Sequence, residues 1–225
     1  MTPERFAKLQ RALDRRQPDL TVFLDSVNKA QNLTSIVRTA DAVGIQRLHA
    51  TDAGDAMRLH HMIAGAAKHW VAITLHRSTR VGLAALRNEG WRIIAAHGGG
   101  TRDFREVDYT QKVAVVVGAE SIGLSDAARA AADDEIAIPM QGIGSSLNVS
   151  VAVGVILLEA QRQRLAAGIY EKARLTPEER ERTLFEWSYP DIAERCRQQG
   201  RPYPTLTADG KVASNPLIDV STVSQ

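Results

Sequence analysis

Apolar residues follow two different periods along this chain. Short apolar runs typical of buried strands alternate with segments in which apolar residues recur every three or four positions, as on one face of a helix. The predicted strands are 21–27, 46–53, 70–76, 91–97, 112–120 and 135–140, and the predicted helices are 32–44, 79–90, 125–133 and 147–167. Because strands alternate with helices, and since 113–117 is continuously apolar, the pattern predicts an α/β fold: a parallel sheet with helices on both faces.

The two ends of the chain add helices outside this alternation. Thr2 and Pro3 suit an N-cap and a first helical position, and apolar residues then recur at helical spacing. A second Thr-Pro pair opens a helix predicted at 175–187, and another helix is predicted at 189–200. The sequence therefore predicts three parts, namely a basic N-terminal helix (1–19), an α/β domain (20–167) and a C-terminal helical extension with a loosely held tail (168–225).

Cysteine and hydropathy exclude several classes of protein. The single cysteine, Cys196, excludes a disulfide framework or a multi-cysteine metal site within one chain. The N-terminal segment lacks the apolar core of a signal peptide, and the richest apolar run, 149–158, has about half the length of a membrane span. We therefore expect a cytosolic protein with no membrane partner. We assign no metal, because the histidines lack the ligand spacing of a known site (His60, His61, His69 and His76).

Positive charge is concentrated towards the two ends. Residues 1–16 carry five basic and two acidic side chains, 161–201 carry nine and seven, and 17–160 carry thirteen and fifteen. A neutral middle with basic ends suggests a catalytic or ligand-binding core whose extensions grip a polyanion. Ordinary solvated helix faces explain the same charges equally well.

Glycine-rich sequences follow two of the predicted strands. HGGG at 97–100 is similar to the oxyanion-hole motif of esterases, but no G-x-S-x-G elbow accompanies it. GAESIG at 118–123 is neither G-x-G-x-x-G nor a P-loop, which argues against a nucleotide-dependent oxidoreductase and against an NTP-binding protein. Because α/β sheets bind ligands at the carboxyl ends of parallel strands, we expect a binding site at this edge.

The polar residues near this edge also have purely structural explanations. Asn32 suits a helix N-cap, Arg38 suits a surface arginine paired with Asp41, and Glu120 suits a solvated acid at a strand end. A third polar group, SSLN at 145–148, stands at the start of the most apolar helix. Taken singly, none of these residues identifies a reaction.

Taken together, three segments resemble the signature motifs of the SpoU class of SPOUT RNA 2'-O-ribose methyltransferases. The first, 32–45, has the N-x5-R pattern; the second, 114–125, is an apolar strand ending in G-x-E; the third, 136–164, has I-P-M, a loop and then S-L-N-V-S. The likeness covers roughly residues 5–190 and looks closer to members that methylate guanosine 18 of tRNA. The loops NKAQN, SIG and QGIGSS depart from the family pattern.

The resemblance implies a C-terminal trefoil knot that binds S-adenosyl-L-methionine, a homodimer, and tRNA as partner. By position it gives catalytic roles to Arg38, Asn32, Glu120, Ser146 and Asn148. The same matching gives a cofactor pocket of Ala96, Gly118, Ile138, Met140 and Leu147. RNA would be gripped by the basic residues of the N-terminal helix, Arg5, Lys8, Arg11, Arg15 and Arg16.

The role of Arg38 and the substrate stay open at this point. The family account gives the matching arginine the part of a base, yet a guanidinium is effectively always protonated. Arg38 would otherwise clamp a phosphate and stabilise the developing alkoxide. Asn32 and Glu120 would orient Arg38, and Ser146 and Asn148 would hold substrate or the first motif. Two alternatives remain: a ribosomal RNA 2'-O-methyltransferase, and a non-catalytic RNA-binding protein with a SPOUT-like core.

Overall fold

A computed structural model describes residues 1–51 and 70–213. The chain divides into two compact units, one spanning 17–172 and the other combining 1–16 with the segment from 173 onwards. The N-terminal helix therefore belongs to the same unit as the segment from 173 onwards. No helix within the described ranges is long and apolar enough to cross a membrane. His60, His61 and His69 lie outside the described residues.

Parallel strands form the sheet of the larger unit. In chain order they are β1 (Leu20–Asp25), β2 (Arg47–Thr51), β3 (Ala72–His76), β4 (Arg92–Ala96), β5 (Arg102–Asp103), β6 (Val113–Gly118) and β7 (Asp134–Ala137). Their order across the sheet is β3-β2-β1-β6-β4-β7-β5, with every described pair parallel. The predicted parallel sheet is therefore confirmed. All of its carboxyl ends lie at one edge.

Helices cover this sheet and form the smaller unit. They are α1 (Pro3–Asp14), α2 (Ala30–Ala42), α3 (Thr79–Asn88), α4 (Asp126–Ala131), α5 (Val149–Ala166), α6 (Pro177–Ser188) and α7 (Pro190–Gln198). Thr2, Ser125 and Thr176 cap α1, α4 and α6 with their hydroxyl groups, as the two Thr-Pro pairs predict for Thr2 and Thr176. Gly44 and Gly90 follow α2 and α3 with φ of 80° and 82°, a conformation that favours glycine.

The continuously apolar strands are explained by burial on both faces. In β6, Val113, Val115 and Val117 join the core formed with α2 and α5, whereas Ala114 and Val116 join the core formed with α3 and α4. A strand buried on one face would alternate apolar and polar residues instead. The expected helices on both faces are thus confirmed, while the trefoil knot stays a prediction.

Three local differences from the predicted elements have simple causes. β7 ends at Ala137 rather than at 140, because Pro139 cannot continue a strand ladder. β5 was not predicted, since two residues carry no periodic signal. Asn32 is not an N-cap: Lys29 occupies that position, and Asn32 lies in the first turn of α2.

The smaller unit buries the apolar face of α1 and one of its predicted basic residues. Phe6, Leu9 and Leu13 are buried as the helical spacing predicts. Arg16 is only 2% exposed, and its guanidinium carbon lies 4.8 Å from the centroid of the Trp187 ring. Arg16 therefore cannot reach a bound RNA in this conformation, which corrects its predicted role as an RNA contact.

Candidate active site

The loops that follow β4, β6 and β7 meet at the carboxyl edge of the sheet. Ala96 at the end of β4 lies in register with Val117 of β6 and with Ile136 of β7. Beyond the strands, a Cβ added to Gly98 would lie 2.9 Å from the Ser145 carbonyl oxygen. Loop 97–101 therefore packs directly on loop 138–148, and this contact requires a residue without a side chain.

A hydrogen-bonded cluster joins the three motif segments at this edge. Glu120, two residues after β6, accepts hydrogen bonds from Asn32 Nδ2 of α2 at 3.1 Å and from Asn148 Nδ2. Asn148 Nδ2 also lies 3.2 Å from Asn32 Oδ1. Lys29 donates to the other oxygen of Glu120. Three side chains, those of Lys29, Asn32 and Asn148, are thereby held around the Glu120 carboxyl group, and the cluster joins three separate parts of the chain.

Asn148 also caps α5, and this contact fixes the orientation of its amide group. It is the N-cap of α5, and its Oδ1 accepts hydrogen bonds from Ser150 N at 2.9 Å and Ser150 Oγ at 2.7 Å. Because the oxygen is engaged with the helix, the NH2 group turns towards Glu120 and Asn32. The asparagine at the start of the apolar helix therefore connects that helix to the polar cluster.

Hydrogen bonding holds Glu120 in its charged form. The hydrogen bond from Lys29 contributes most to lowering the pKa of Glu120 below 4.5, followed by the hydrogen bond from Asn32. A carboxylate stabilised in this way is a weak proton acceptor near neutral pH. Glu120 is therefore suited to holding the surrounding side chains rather than to removing a proton.

Arg38 and Ser146 lie outside this cluster. Arg38 is exposed and follows Asn32 by six helical residues, which places it about 9 Å further along α2. Within the described ranges it makes no hydrogen bond or ion pair, including none with Asp41. Ser146 is also exposed, and no partner for it exists among the described residues.

The residues predicted to hold the cofactor are adjacent. Ala96, Gly118 and Ile138 stand at or just beyond the ends of three neighbouring strands, and Met140 and Leu147 lie on the loop after β7. Within the described chain, residues 140–147 make no main-chain hydrogen bonds with one another or with neighbouring segments. Their N–H and C=O groups are thus free to recognise a ligand such as a purine base.

Exposed apolar side chains on the loops after β6 and β7 are also suited to contact a nucleoside. Ile122 and Ile143 are 80% and 108% exposed, and Leu147 is 36% exposed. Added Cβ atoms on Gly142 and Gly144 would meet nothing within 4 Å, so the loop leaves open space beside them. Among the described residues, no group of His, Cys, Asp and Glu could hold a metal ion.

Lys29 is the member of the cluster that sequence reasoning missed. It appeared only inside NKAQN, a stretch noted for departing from the family pattern. A basic residue three positions before Asn32 was the available signal, since both lie within one helical turn of the start of α2. Recognising its partner required the fold, because Glu120 is 91 positions away.

Comparisons with known proteins agree with this geometry. The model described as SpoU rRNA Methylase family matches residues 19–158, and that described as SpoU, rRNA methylase, C-terminal, matches 162–215. A tRNA (guanosine(18)-2'-O)-methyltransferase from Escherichia coli (strain K12) is 42% identical over 218 residues, 96% of this chain and 95% of that protein.

Two solved structures are also similar to this chain. The TrmH/SpoU tRNA modifying enzyme of Aquifex aeolicus has a TM-score of 0.76 and 40% identity, covering 84% of this chain and 97% of its own. AviRb, a SpoU methyltransferase from Streptomyces viridochromogenes in complex with the cofactor AdoMet, has a TM-score of 0.58 and 30% identity, covering 68% and 62%. The chain belongs to the SpoU methylase family.

Proposed function

We propose that this protein transfers a methyl group from S-adenosyl-L-methionine to the ribose 2'-oxygen of guanosine 18 in tRNA. The observation that carries the proposal is the cluster in which Asn32, Glu120 and Asn148 join the three motif segments beside the cofactor loops. The substrate assignment is supported by the tRNA (guanosine(18)-2'-O)-methyltransferase of E. coli, whose match covers 96% of this chain. Because tRNA is used in the cytoplasm, we propose that compartment.

The residues at the carboxyl edge fit the methyl donor. The main-chain groups of residues 140–147 would hold the adenine, with Ala96, Gly118 and Ile138 forming the walls and Leu147 covering the base. S-adenosyl-L-methionine supplies a methyl group on a sulfonium, which is already a good leaving group. The protein therefore needs chiefly to position the ribose hydroxyl and to assist loss of its proton.

Arg38 is the side chain we assign to the substrate. It is exposed and unpaired among the described residues, so it can receive a phosphate without first breaking an ion pair. Its fork of donors would hold that phosphate and stabilise negative charge on the 2'-oxygen, while phosphate or water takes the proton. The alternative role as the base requires a neutral guanidinium.

Substitution of Arg38 tests this role. We expect Arg38→Ala to abolish turnover and Arg38→Lys not to restore it, since an ammonium lacks the planar fork. A lysine variant with a near wild-type rate would contradict any dependence on that geometry. Arg87→Lys is the matched control and should leave turnover unchanged, because Arg87 is a half-exposed arginine paired with Asp133 and lies outside the cluster.

The remaining motif residues would organise the site rather than react. Glu120, fixed by Lys29, Asn32 and Asn148, would keep α2 and α5 in register beside the cofactor loops. Ser146, exposed next to Asn148, would contact the substrate ribose or phosphate. Asn32 would couple this cluster to the helix that carries Arg38.

The exposed cations of α1 form the RNA-binding surface in this proposal. Arg5, Lys8, Arg11 and Arg15 are exposed, and the buried Arg16 is removed from the set. Contacts of this kind act mainly on phosphates, so they raise affinity without selecting a sequence. The selection of guanosine 18 would therefore depend on the fit of the folded tRNA.

A stripe on α5 supports the proposed homodimer. Val151, Leu158 and Leu165 are 50%, 57% and 57% exposed and recur every seven residues, so they share one face. The opposite face of α5 packs in the core with Val153, Ile156 and Ala160. A second copy of the chain is the occupant we propose for the stripe. A Leu158→Lys variant should then sediment as a monomer at concentrations where the wild type is a dimer.

The function is tested by transfer of a tritiated methyl group to an unmodified tRNA transcript, beside the same tRNA with 2'-deoxyguanosine at position 18. Incorporation into the first and none into the second is the expected result. Equal incorporation would keep the reaction and reject the position. Binding of S-adenosyl-L-methionine without transfer to either tRNA would favour ribosomal RNA. Neither binding nor transfer would favour the non-catalytic RNA-binding alternative.

A further inference from the structure

A buried carboxyl group lies behind the Glu120 cluster and has no part in the function proposed above. Asp25, the last residue of β1, is 1% exposed and lies in register with Gly118 of β6. Its Oδ1 accepts a hydrogen bond from Thr79 Oγ1 at 2.5 Å, and its Oδ2 accepts one from Ser125 N at 2.7 Å. The Thr51 hydroxyl is 2.9 Å from that of Thr79 and completes the network.

This network fixes both ends of the loop that carries Glu120. The loop, 119–124, begins after Gly118, which strand register places beside Asp25. It ends at Ser125, whose main-chain N–H is bound by the same carboxyl group. Between these ends the loop folds back on itself, because Gly123 N donates to Ala119 O at 2.7 Å and a Cβ added to Gly118 would lie 2.1 Å from the Gly123 carbonyl oxygen.

The segment that follows Asp25 in the sequence leads to Lys29, the partner of Glu120. Ser26 has a φ of 61°, and it is the one non-glycine residue within the described ranges with a positive φ. Strained residues of this kind persist where their surroundings hold them, and they concentrate at functional sites. The strained turn therefore starts at the carboxyl group that also holds the Glu120 loop.

We propose that Asp25 is a positioning residue for methyl transfer. It sets the Glu120 loop through Ser125 N and starts the turn that brings Lys29 to Glu120, so that both partners are placed from one buried group. The expected effect on methyl transfer rests on the proposed function, whereas the expected effect on the Glu120 loop does not. An alanine at this position has no side-chain acceptor, so it removes both hydrogen bonds.

The test compares four variants by methyl-transfer kinetics and by amide hydrogen exchange. Asp25→Ala removes both acceptors. Ser125→Pro removes the donor N–H and the cap hydroxyl, at a φ of −67° that suits proline. Ser125→Ala removes the hydroxyl alone and is the control for that loss. Thr21→Val is the matched control, because Thr21 is also 1% exposed on β1 and its hydroxyl donates to Arg47 O at 2.7 Å, away from the site.

For Asp25→Ala and Ser125→Pro we expect exchange in 119–124 to accelerate by about tenfold to a hundredfold, the effect of losing one charged or buried hydrogen bond. We expect kcat to fall by a similar factor while KM for tRNA stays within about twofold, since the RNA surface is untouched. Ser125→Ala and Thr21→Val should match the wild type in both measurements.

Unchanged exchange in 119–124 for Asp25→Ala would overturn the inference, whatever the activity. Faster exchange with an unchanged kcat would overturn the positioning role. A wild-type protein that transfers no methyl group would count against the proposed function alone, because the exchange comparison can still be made and decides whether Asp25 holds the Glu120 loop.

Discussion

Arg164 of α5 is the side chain whose removal should destabilise the larger unit most clearly. Its side chain is 0% exposed and its nitrogen atoms donate at 2.6–3.2 Å to Gln17 Oε1, Asp19 Oδ1 and the carbonyl oxygens of Tyr109, Asp19 and Gln111. These bonds join the end of α5 to the start of β1 and to the turn before β6. Since all three nitrogen atoms are engaged, no hydrophobic residue can replace the group without leaving buried acceptors unpaired.

Arg164→Met should therefore cost about 3–5 kcal/mol, the usual effect of removing one partner of a buried ion pair. For a protein of this size that loss lowers Tm by about 6–20 °C. Urea unfolding and thermal melting followed by circular dichroism measure both quantities. Arg87→Met is the control, because Arg87 is a half-exposed arginine paired with Asp133 at 3.0 Å, and surface pairs contribute about 0–1 kcal/mol. A loss below about 1.5 kcal/mol for Arg164→Met would refute the reasoning.

Three further predictions concern pH, packing and RNA binding. Burial, followed by the charges of His76 and Arg47, lowers the pKa of His49 from 6.5 to about 4. The unfolded chain therefore binds this proton more tightly, and the stability from neutral His49 is complete above pH 6.5 and is lost as pH falls towards 4. Urea titrations from pH 7 to 4.5 should show about 2 kcal/mol less loss for His49→Asn than for the wild type. Gly118→Ala should cost at least about 1–3 kcal/mol in urea unfolding, because its Cβ would overlap the Gly123 carbonyl, whereas Gly142→Ala, with nothing within 4 Å, should leave stability within about 0.5 kcal/mol. Loss of any exposed cation of α1 that contacts a phosphate should make the slope of log affinity for tRNA against log salt shallower by about one. Glu4→Gln on the same helix should not make it shallower.

The secondary structure was predictable wherever local chemistry decides it. The hydroxyl caps Thr2, Ser125 and Thr176 begin helices, and glycines with positive φ end them, because these residues satisfy the free groups at helix termini within a few positions. Strand order was not predictable in this way. Placing β6 beside β1 depends on packing between segments about ninety positions apart, which no local period records.

The sequence predicts which residues belong to the site better than it predicts which of them are in contact. Asn32, Glu120 and Asn148 were named from the likeness to a family, and the structure brings them within hydrogen-bonding distance. Lys29 was missed because its partner is distant in sequence, and Arg16 was assigned to the wrong environment. Arg16 follows the end of α1, so the helical period that placed the other cations outside did not apply to it, and Trp187 covers it instead.

Asn32 and Arg38 lie on the same helix, α2, but differ in how they are held. Asn32 in the first turn is bound into the Glu120 cluster before any RNA arrives, whereas Arg38 in the last turns has no partner among the described residues. A guanidinium already paired with a carboxylate would have to exchange that partner for a phosphate, at a cost in binding free energy. Asn32 holds the helix that carries Arg38, and the unpaired guanidinium keeps its donors available for the phosphate that we propose it binds. Preorganisation of this kind favours the phosphate-clamp role for Arg38, because a clamp needs position and free donors, whereas a base would also need a neighbour that removes its charge.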